Sequence, residues 1–320
     1  MDYRDAIDRV LEVPVVTSFT NIGYMARSRL FDWRPLDDYD VSGRSMLVTG
    51  ATSGLGLDLA TILLGQGANV IVLGRDPEKT ARVADDLQPH GSVSSVIADM
   101  GNLEQVSAAC DNVLSRHTEL DVVIHNAGAL SGQRRSNPAG SELTVASQVY
   151  GPFLMTSLLL PALRSGRTGR VLTMTSGGMY TQGLTVAKLE MDEATYKGAE
   201  QYARAKRAQV TLNEMWAQRH AHENLRFHTA HPGWTDTPGV AESLPTFRTV
   251  MGPFLRSPRE GADTMAWLAM DDDLPLATNG GFWLDRRQRS LHKLPGTRRT
   301  DTAERRQELW RQVAATAGTD

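Results

Sequence analysis

The segment "LVTGATSGLGLDLA", Leu47 to Ala60, constrains the fold more than any other part of this 320-residue chain. An apolar, β-prone run ends in a turn carrying Gly50, Gly54 and Gly56, and a helical pattern begins at once. Glycine suits such a turn because the backbone must take positive φ, or meet a ligand with no Cβ in the way. Exposed N–H groups and the dipole at the mouth of the next helix favour an anion there. Turns are glycine-rich for many reasons, so the triplet draws its weight from the strand–turn–helix context, which is that of dinucleotide binding.

Six more strand-like runs follow: "NVIVLG", "SVSSVIA", "LDVVIHNAG", "GRVLTMTS", "LRFHTAHPG" and "GGFWL". Stretches of helical period, such as "LEQVSAACDNVLSRH", separate them. Continuous apolar strands joined by crossover helices predict a parallel sheet covered on both faces. The expected fold is α/β: a single Rossmann-like, doubly wound sheet of about seven strands over residues 43–285. An N-terminal extension spans 1–42, and a basic C-terminal tail ending in a helix spans 286–320. Asp76 and Pro77 in "GRDPEK" read as the N-cap and first residue of a helix.

The extensions raise the question of membranes. In "VVTSFTNIGYMARSRLF", Val15, Phe19, Ile22, Ala26 and Leu30 fall near one helical face, with Arg27 and Arg29 elsewhere. Such a helix packs on its own domain or lies on a membrane interface. Between 286 and 306, eight basic residues face Asp301 and Glu304, a net of +6. This is a solvated tail, or a field for anionic headgroups or an acidic partner. No window reaches the roughly 18 apolar residues of a membrane span, and "MDYRDAIDRV" is a poor signal peptide. Net charge is −3, which gives no general case for nucleic acid. A lone cysteine, Cys110, excludes an intrachain disulfide and fits a reducing compartment. A cytoplasmic protein is expected, with peripheral membrane contact and a homo-oligomer both left open.

The second strand ends "VIVLGRD". An acid at its tip would select NAD through the ribose 2′-hydroxyl, but Gly74 and Arg75 come first. Arg75 can pair with a 2′-phosphate, so NADP(H) is preferred and NAD(H) remains the alternative.

Taken in order, the glycine turn, Asp99, the "HNAG" of His125 to Gly128, Ser176 after a strand, Tyr202 with Lys206, and "HPGWTDT" resemble the short-chain dehydrogenase/reductase family, in its non-extended branch. The resemblance implies that Gly50, Thr52, Ser53, Gly54, Leu55 and Gly56 surround the cofactor phosphates. It implies that Asp99 accepts from the adenine amine beside Met100, and that Asn126, Ala127 and Gly128 border the adenosine ribose. Pro232, Gly233 and Trp234 would line the nicotinamide, with Thr237 reaching its carboxamide or the nearby phosphate.

It also implies carbonyl–alcohol chemistry. The cofactor supplies hydride, and the protein must supply the proton. Tyr202 would be that acid/base, although a free tyrosine titrates near 10. Lys206, four residues on and on the same helix face, would lower that value and touch the nicotinamide ribose. Ser176 would orient the substrate oxygen. Tyr196 is a decoy, because Glu200 stands four residues later. One position departs from the family: Gln148 stands where an asparagine holds a water that passes protons toward the lysine. The longer glutamine keeps the amide but alters its geometry.

"GGMYTQGLTVAKLEMDEATYKGAE" and "GVAESLPTFRTVMGPFLRS" are expected to rim the cleft with Met179, Tyr180, Leu184, Leu244, Phe247, Met251 and Phe254. That suits a lipophilic alcohol or carbonyl compound. His220, His222, His228 and His231 show no zinc-type spacing, so no metal is expected. The alternative from another class is a nucleotide-binding scaffold or redox sensor of weak turnover.

Overall fold

The computed structural model describes residues 2–243 and 245–319. Its frame is one eight-stranded sheet. In chain order the strands are β1 (Ser45–Thr49), β2 (Asn69–Gly74), β3 (Val93–Ile97), β4 (Val122–His125), β5 (Gly169–Met174), β6 (Leu225–Ala230), β7 (Phe282–Leu284) and β8 (Arg287–Gln288). In space they run β3-β2-β1-β4-β5-β6-β7-β8, all parallel except β8. The seven runs read from the sequence all form strands. The eighth, two residues long, carries no apolar run. It returns antiparallel through Asp285 and Arg286, both at positive φ (55° and 52°), which is the twist of a tight hairpin turn.

Three helices precede the sheet: α1 (Tyr3–Glu12), α2 (Val15–Phe19) and α3 (Asn21–Leu30). α4 (Gly54–Gly65) and α5 (Pro77–Leu87) cover one face. α6 (Leu103–Arg116), the one-turn α7 (Leu143–Val145), α8 (Gly151–Ser165) and α9 (Gly198–Arg219) cover the other. α10 (Pro238–Ser243) and α11 (Pro245–Met251) follow β6, and α12 (Pro258–Met270) returns to pack on α4. α13 (Leu274–Ala277) leads into β7, and α14 (Pro295–Thr300) and α15 (Ala303–Ala317) end the chain. Burial on both faces explains the unbroken apolar strands: β5 is buried along its whole length. Asp76 caps α5 by accepting from Lys79 N at 2.9 Å, with Pro77 at the first turn, as the sequence suggests. The continuous run Leu143–Ser165 is long and apolar enough to cross a membrane, contrary to the sequence expectation, yet 78% of its most apolar 18-residue window lies buried inside the fold.

The extensions differ from their sequence readings. Residues 15–30 are not one amphipathic helix; the chain breaks at Thr20, leaving Val15 and Ile22 exposed and Phe19 buried. Arg27, expected on a polar face, has no exposed surface. It pairs with Asp8 and Asp285 at 2.7 Å each, as a buried charge must. The basic stretch is likewise not an unpaired field. Arg286 pairs with Asp263, Arg287 with Asp5, Arg289 with Asp8 and Glu12, and Arg306 with Asp301 and Glu214. α15 then buries Leu309, Val313, Ala314 and Ala317 against α8 and α9, and Trp310 meets Phe153 and Trp216 edge-on.

Candidate active site

β1 and β4 are neighbours from which the chain winds in opposite directions, so a crevice opens beyond their carboxyl ends. The turn after β1 borders it. Gly50 and Gly54 take φ of 66° and 53°. A Cβ on Gly50 would sit 2.8 Å from Ala127 Cα, and one on Gly56 would sit 2.3 Å from Gly50 O. Only glycine lets α4 start this close to the strand. Ser53 caps α4 without a side-chain bond to it, and the Cβ and Cγ2 of Thr237 approach Gly54 from the far wall. Thr52 and Leu55 are half-buried along the turn.

Asn126 is tied to the turn after β1. Its Nδ2 donates to Thr49 O and Gly50 O at 3.1 and 3.3 Å, while the N–H groups of Asn126 and Ala127 both donate to Thr49 Oγ1 at 3.0 Å. The amide thus braces the glycine turn. Gly128 lies next, and a Cβ there would meet Gln148 Cδ at 3.0 Å. Asp99 is half-buried beyond β3, its carboxylate accepting from Gly101 N at 2.8 Å, and Met100 is buried beside it. At the tip of β2 a Cβ on Gly74 would lie 2.2 Å from Thr80 Oγ1 and 2.6 Å from Thr52 Cγ2. No carboxylate fits there, and Asp76 is committed to its cap, so the first free side chain is the exposed Arg75. The cradle fits a dinucleotide: glycines at positive φ let the chain turn tightly into α4, so that its N-terminal N–H groups face the crevice.

Ser176, Tyr202 and Lys206 gather at the end of β5. Ser176 Oγ accepts from Gly178 N at 3.2 Å, and a Cβ on Gly178 would lie 3.6 Å from that Oγ and 4.0 Å from Tyr202 Cδ1. Lys206 Nζ lies 5.2 Å from the centroid of the Tyr202 ring and donates to Met174 O at 2.9 Å. The expected electrostatics do not hold in the protein alone. Burial pushes Tyr202 up to about 12, only partly opposed by Ser176, and pushes Lys206 down to about 7. Desolvation favours the neutral form of each. The decoy Tyr196 lies elsewhere, donating to Glu142 at 3.0 Å.

Gln148 sits in a π turn, Ala146–Tyr150, fully buried. Its Nε2 donates to Ala129 O at 2.9 Å, and its main-chain carbonyl accepts from Gln209 Nε2 at 2.7 Å. Gln148 Oε1, Gln209 Oε1 and His125 Nδ1 are buried with no partner, and all three residues line one cavity of about 30 Å³. Gln209 carried a signal the sequence reading passed over, since it stands one helical turn beyond Lys206.

Pro232, Gly233 and Trp234 follow β6, with Gly233 at φ 77°. The ring of Trp234 packs edge-on against Phe247 at 5.1 Å, and Met251 and the exposed Phe254 continue that apolar rim. Met179, Tyr180 and Leu184 are no part of it. They are buried core residues, drawn in because the 3-10 turn Gly177–Thr181 packs on α9. Leu244 lies outside the described residues. His228 and His231, in and just after the interior strand β6, are buried, while His220 stacks on Trp216 and pairs with Glu223 at 2.8 Å.

Comparison with known proteins gives a consistent result. A family model described as short chain dehydrogenase matches residues 44–246. The chain is 34% identical to dehydrogenase/reductase SDR family member 12 of Homo sapiens, over 93% of this chain and 94% of that one. It is 30% identical to retinol dehydrogenase 14 of Mus musculus, over 78% and 80% respectively. Among solved structures, the Pseudomonas aeruginosa RhlG/NADP active-site complex superposes with a TM-score of 0.64 at 25% identity, covering 78% of this chain and 96% of that one.

Proposed function

Because the chain belongs to the short-chain dehydrogenase/reductase family, whose members are oxidoreductases acting on CH–OH groups with NAD(P), we propose that it uses NADP(H) to interconvert an alcohol and a carbonyl on a lipophilic small molecule. The observation that carries this is the gathering of Ser176, Tyr202 and Lys206 at the end of β5, with Lys206 Nζ 5.2 Å from the Tyr202 ring and Ser176 and Tyr202 both bordering Gly178.

Gly50 to Gly56, with Thr237 opposite, would hold the pyrophosphate; Asp99 and Met100 the adenine end; Asn126 to Gly128 the ribose; and Pro232 to Trp234 the nicotinamide. Bound there, the cofactor supplies or accepts hydride. Ser176 Oγ donates to the substrate oxygen and fixes its direction. Tyr202 Oη gives that oxygen its proton in reduction and takes one back in oxidation. The tyrosinate left after reduction would face Lys206, whose ammonium form can both steady that charge and return a proton. Gln148, whose Oε1 is buried without a partner beside the cavity it shares with Gln209 and His125, would serve this proton supply.

Arg75 supports NADP(H), because it is the first free side chain past a strand tip that admits no carboxylate. RhlG, similar in fold, was solved with NADP. Trp234, Phe247, Met251 and Phe254 support an apolar substrate, as does the similarity to a retinol dehydrogenase.

The test is a panel of hydrophobic aldehydes and ketones with NADPH, followed by loss of reduced-nicotinamide absorbance. Tyr202→Phe should lower turnover by about 10²–10⁴-fold and leave NADPH affinity unchanged. Equal turnover in the variant would overturn the assignment, and a wild type without turnover would favour the scaffold alternative.

A further inference from the structure

Phe19 lies in the N-terminal segment, well before the stretch shared with the family model, yet it is 4% exposed and wedged into the site. Its carbonyl accepts from Trp234 N at 2.7 Å, and its ring stands edge-on to His231 (4.4 Å) and Trp234 (5.9 Å). A Cβ on Gly177, the residue after Ser176, would meet Phe19 Cε2 at 2.6 Å and His231 Nε2 at 2.9 Å. One aromatic side chain therefore abuts both turns that border the proposed nicotinamide and substrate oxygen. The two ring nitrogens of His231 are buried with no hydrogen-bond partner, the mark of a neutral imidazole used as filler beneath those turns.

Behind the wedge lies a buried ionic cluster. Arg256 donates to Ser18 O (3.2 Å), Thr20 O (3.2 Å) and Pro232 O (3.3 Å), and binds both oxygens of Asp285 at 2.6 and 3.0 Å. Arg27 reaches Ser18 O at 3.0 Å and closes on Asp285 and Asp8 at 2.7 Å. Asp285 is held at φ 55°, a conformation costly for a non-glycine residue that persists only where its surroundings impose it. Gly233 completes the fit, since a Cβ there would strike Arg256 Nε at 2.2 Å.

We propose that the N-terminal segment Ser18–Arg27 is a working part of the active site, with Phe19 the positioning residue that sets the Pro232–Trp234 turn and, through it, the seat of the nicotinamide. This rests on the cofactor role proposed above for that turn. A segment that merely stapled the fold would alter stability without discriminating between the two halves of the cofactor. A positioning segment discriminates, because the adenosine half is held by Gly50–Gly56, Arg75 and Asp99, none of which contacts Phe19.

Calorimetric titration of the full chain with NADPH and with adenosine 2′,5′-bisphosphate, which lacks the nicotinamide half, separates these. Phe19→Ala should weaken NADPH by about tenfold or more, the equivalent of roughly 1.4 kcal/mol, and leave the bisphosphate within about twofold. Phe19→Leu keeps most of the volume, should recover part of the loss, and decides the matter if the alanine variant fails to fold. Equal weakening of both ligands, or no change in either, overturns the inference. A wild type that binds neither overturns the cofactor assignment, and the inference with it.

Discussion

Replacing Lys206 by methionine should stabilise the unliganded protein while disabling it. The residue is 3% exposed, and its amine donates to Met174 O at 2.9 Å. Burial holds it at about 7, against 10.5 for the ordinary side chain. At 1.36 kcal/mol per pH unit, that gap corresponds to roughly 5 kcal/mol spent in keeping the charged form folded. Methionine has a similar unbranched length and no charge, but it leaves the Met174 carbonyl without its donor, a loss of about 1–3 kcal/mol. The net gain is then about 2–4 kcal/mol at neutral pH. For 320 residues, each kcal/mol moves Tm by roughly 1.5 °C, so the variant should melt about 3–6 °C higher. The pH dependence carries the sharper sign. Between about 7 and 10.5 the unfolded lysine holds a proton that the folded one has released, so wild-type stability rises with pH across that window. The advantage of the variant should therefore be largest at pH 7 and below and shrink steadily toward pH 9.5. Tyr202, held at about 12 against 10 for the ordinary side chain, is present in both proteins and so cancels in their difference. Scanning calorimetry of both proteins at several pH values checks it. A variant that melts lower than wild type at pH 7, or a gap constant with pH, would refute the account of Lys206 as a desolvated amine.

Arg75→Ala should lower the NADPH-over-NADH preference in kcat/KM by about tenfold, the low end for a charge-assisted hydrogen bond at an exposed site; an unchanged ratio would remove Arg75 from cofactor selection. Leu309→Ala empties a fully buried position on α15 and should cost about 2–5 kcal/mol, read as a Tm lower by roughly 3–8 °C, with turnover retained below the transition.

Local signals were legible in the sequence and distant ones were not. Seven strands could be read because each is a short apolar run between helical periods, and the glycine turn because its spacing states its geometry. Tyr202, Lys206 and Ser176 could be named from pattern, and the structure brings them together. The direction of their electrostatics could not, since spacing along a helix gives proximity and says nothing of how much water remains. Met179 and Tyr180 looked like a rim because they follow Ser176, but packing on α9 decides which side of the wall a side chain occupies. Arg27 was placed on a polar face because its partner Asp285 stands 258 residues away. No periodicity could have paired them, and Phe19 was hidden for the same reason.

The closing helix α15 has a consequence for how copies of this chain can meet. It already fills the groove between the two long helices on its side of the sheet, with Trp310 sandwiched by Phe153 and Trp216. A second molecule seeking that groove would first have to peel away the tail and leave Leu309 and Val313 in water. Self-association, where it occurs, must use other surfaces. Expression clones shortened before residue 303 would expose a sticky seam, and should gain aggregates rather than simplicity.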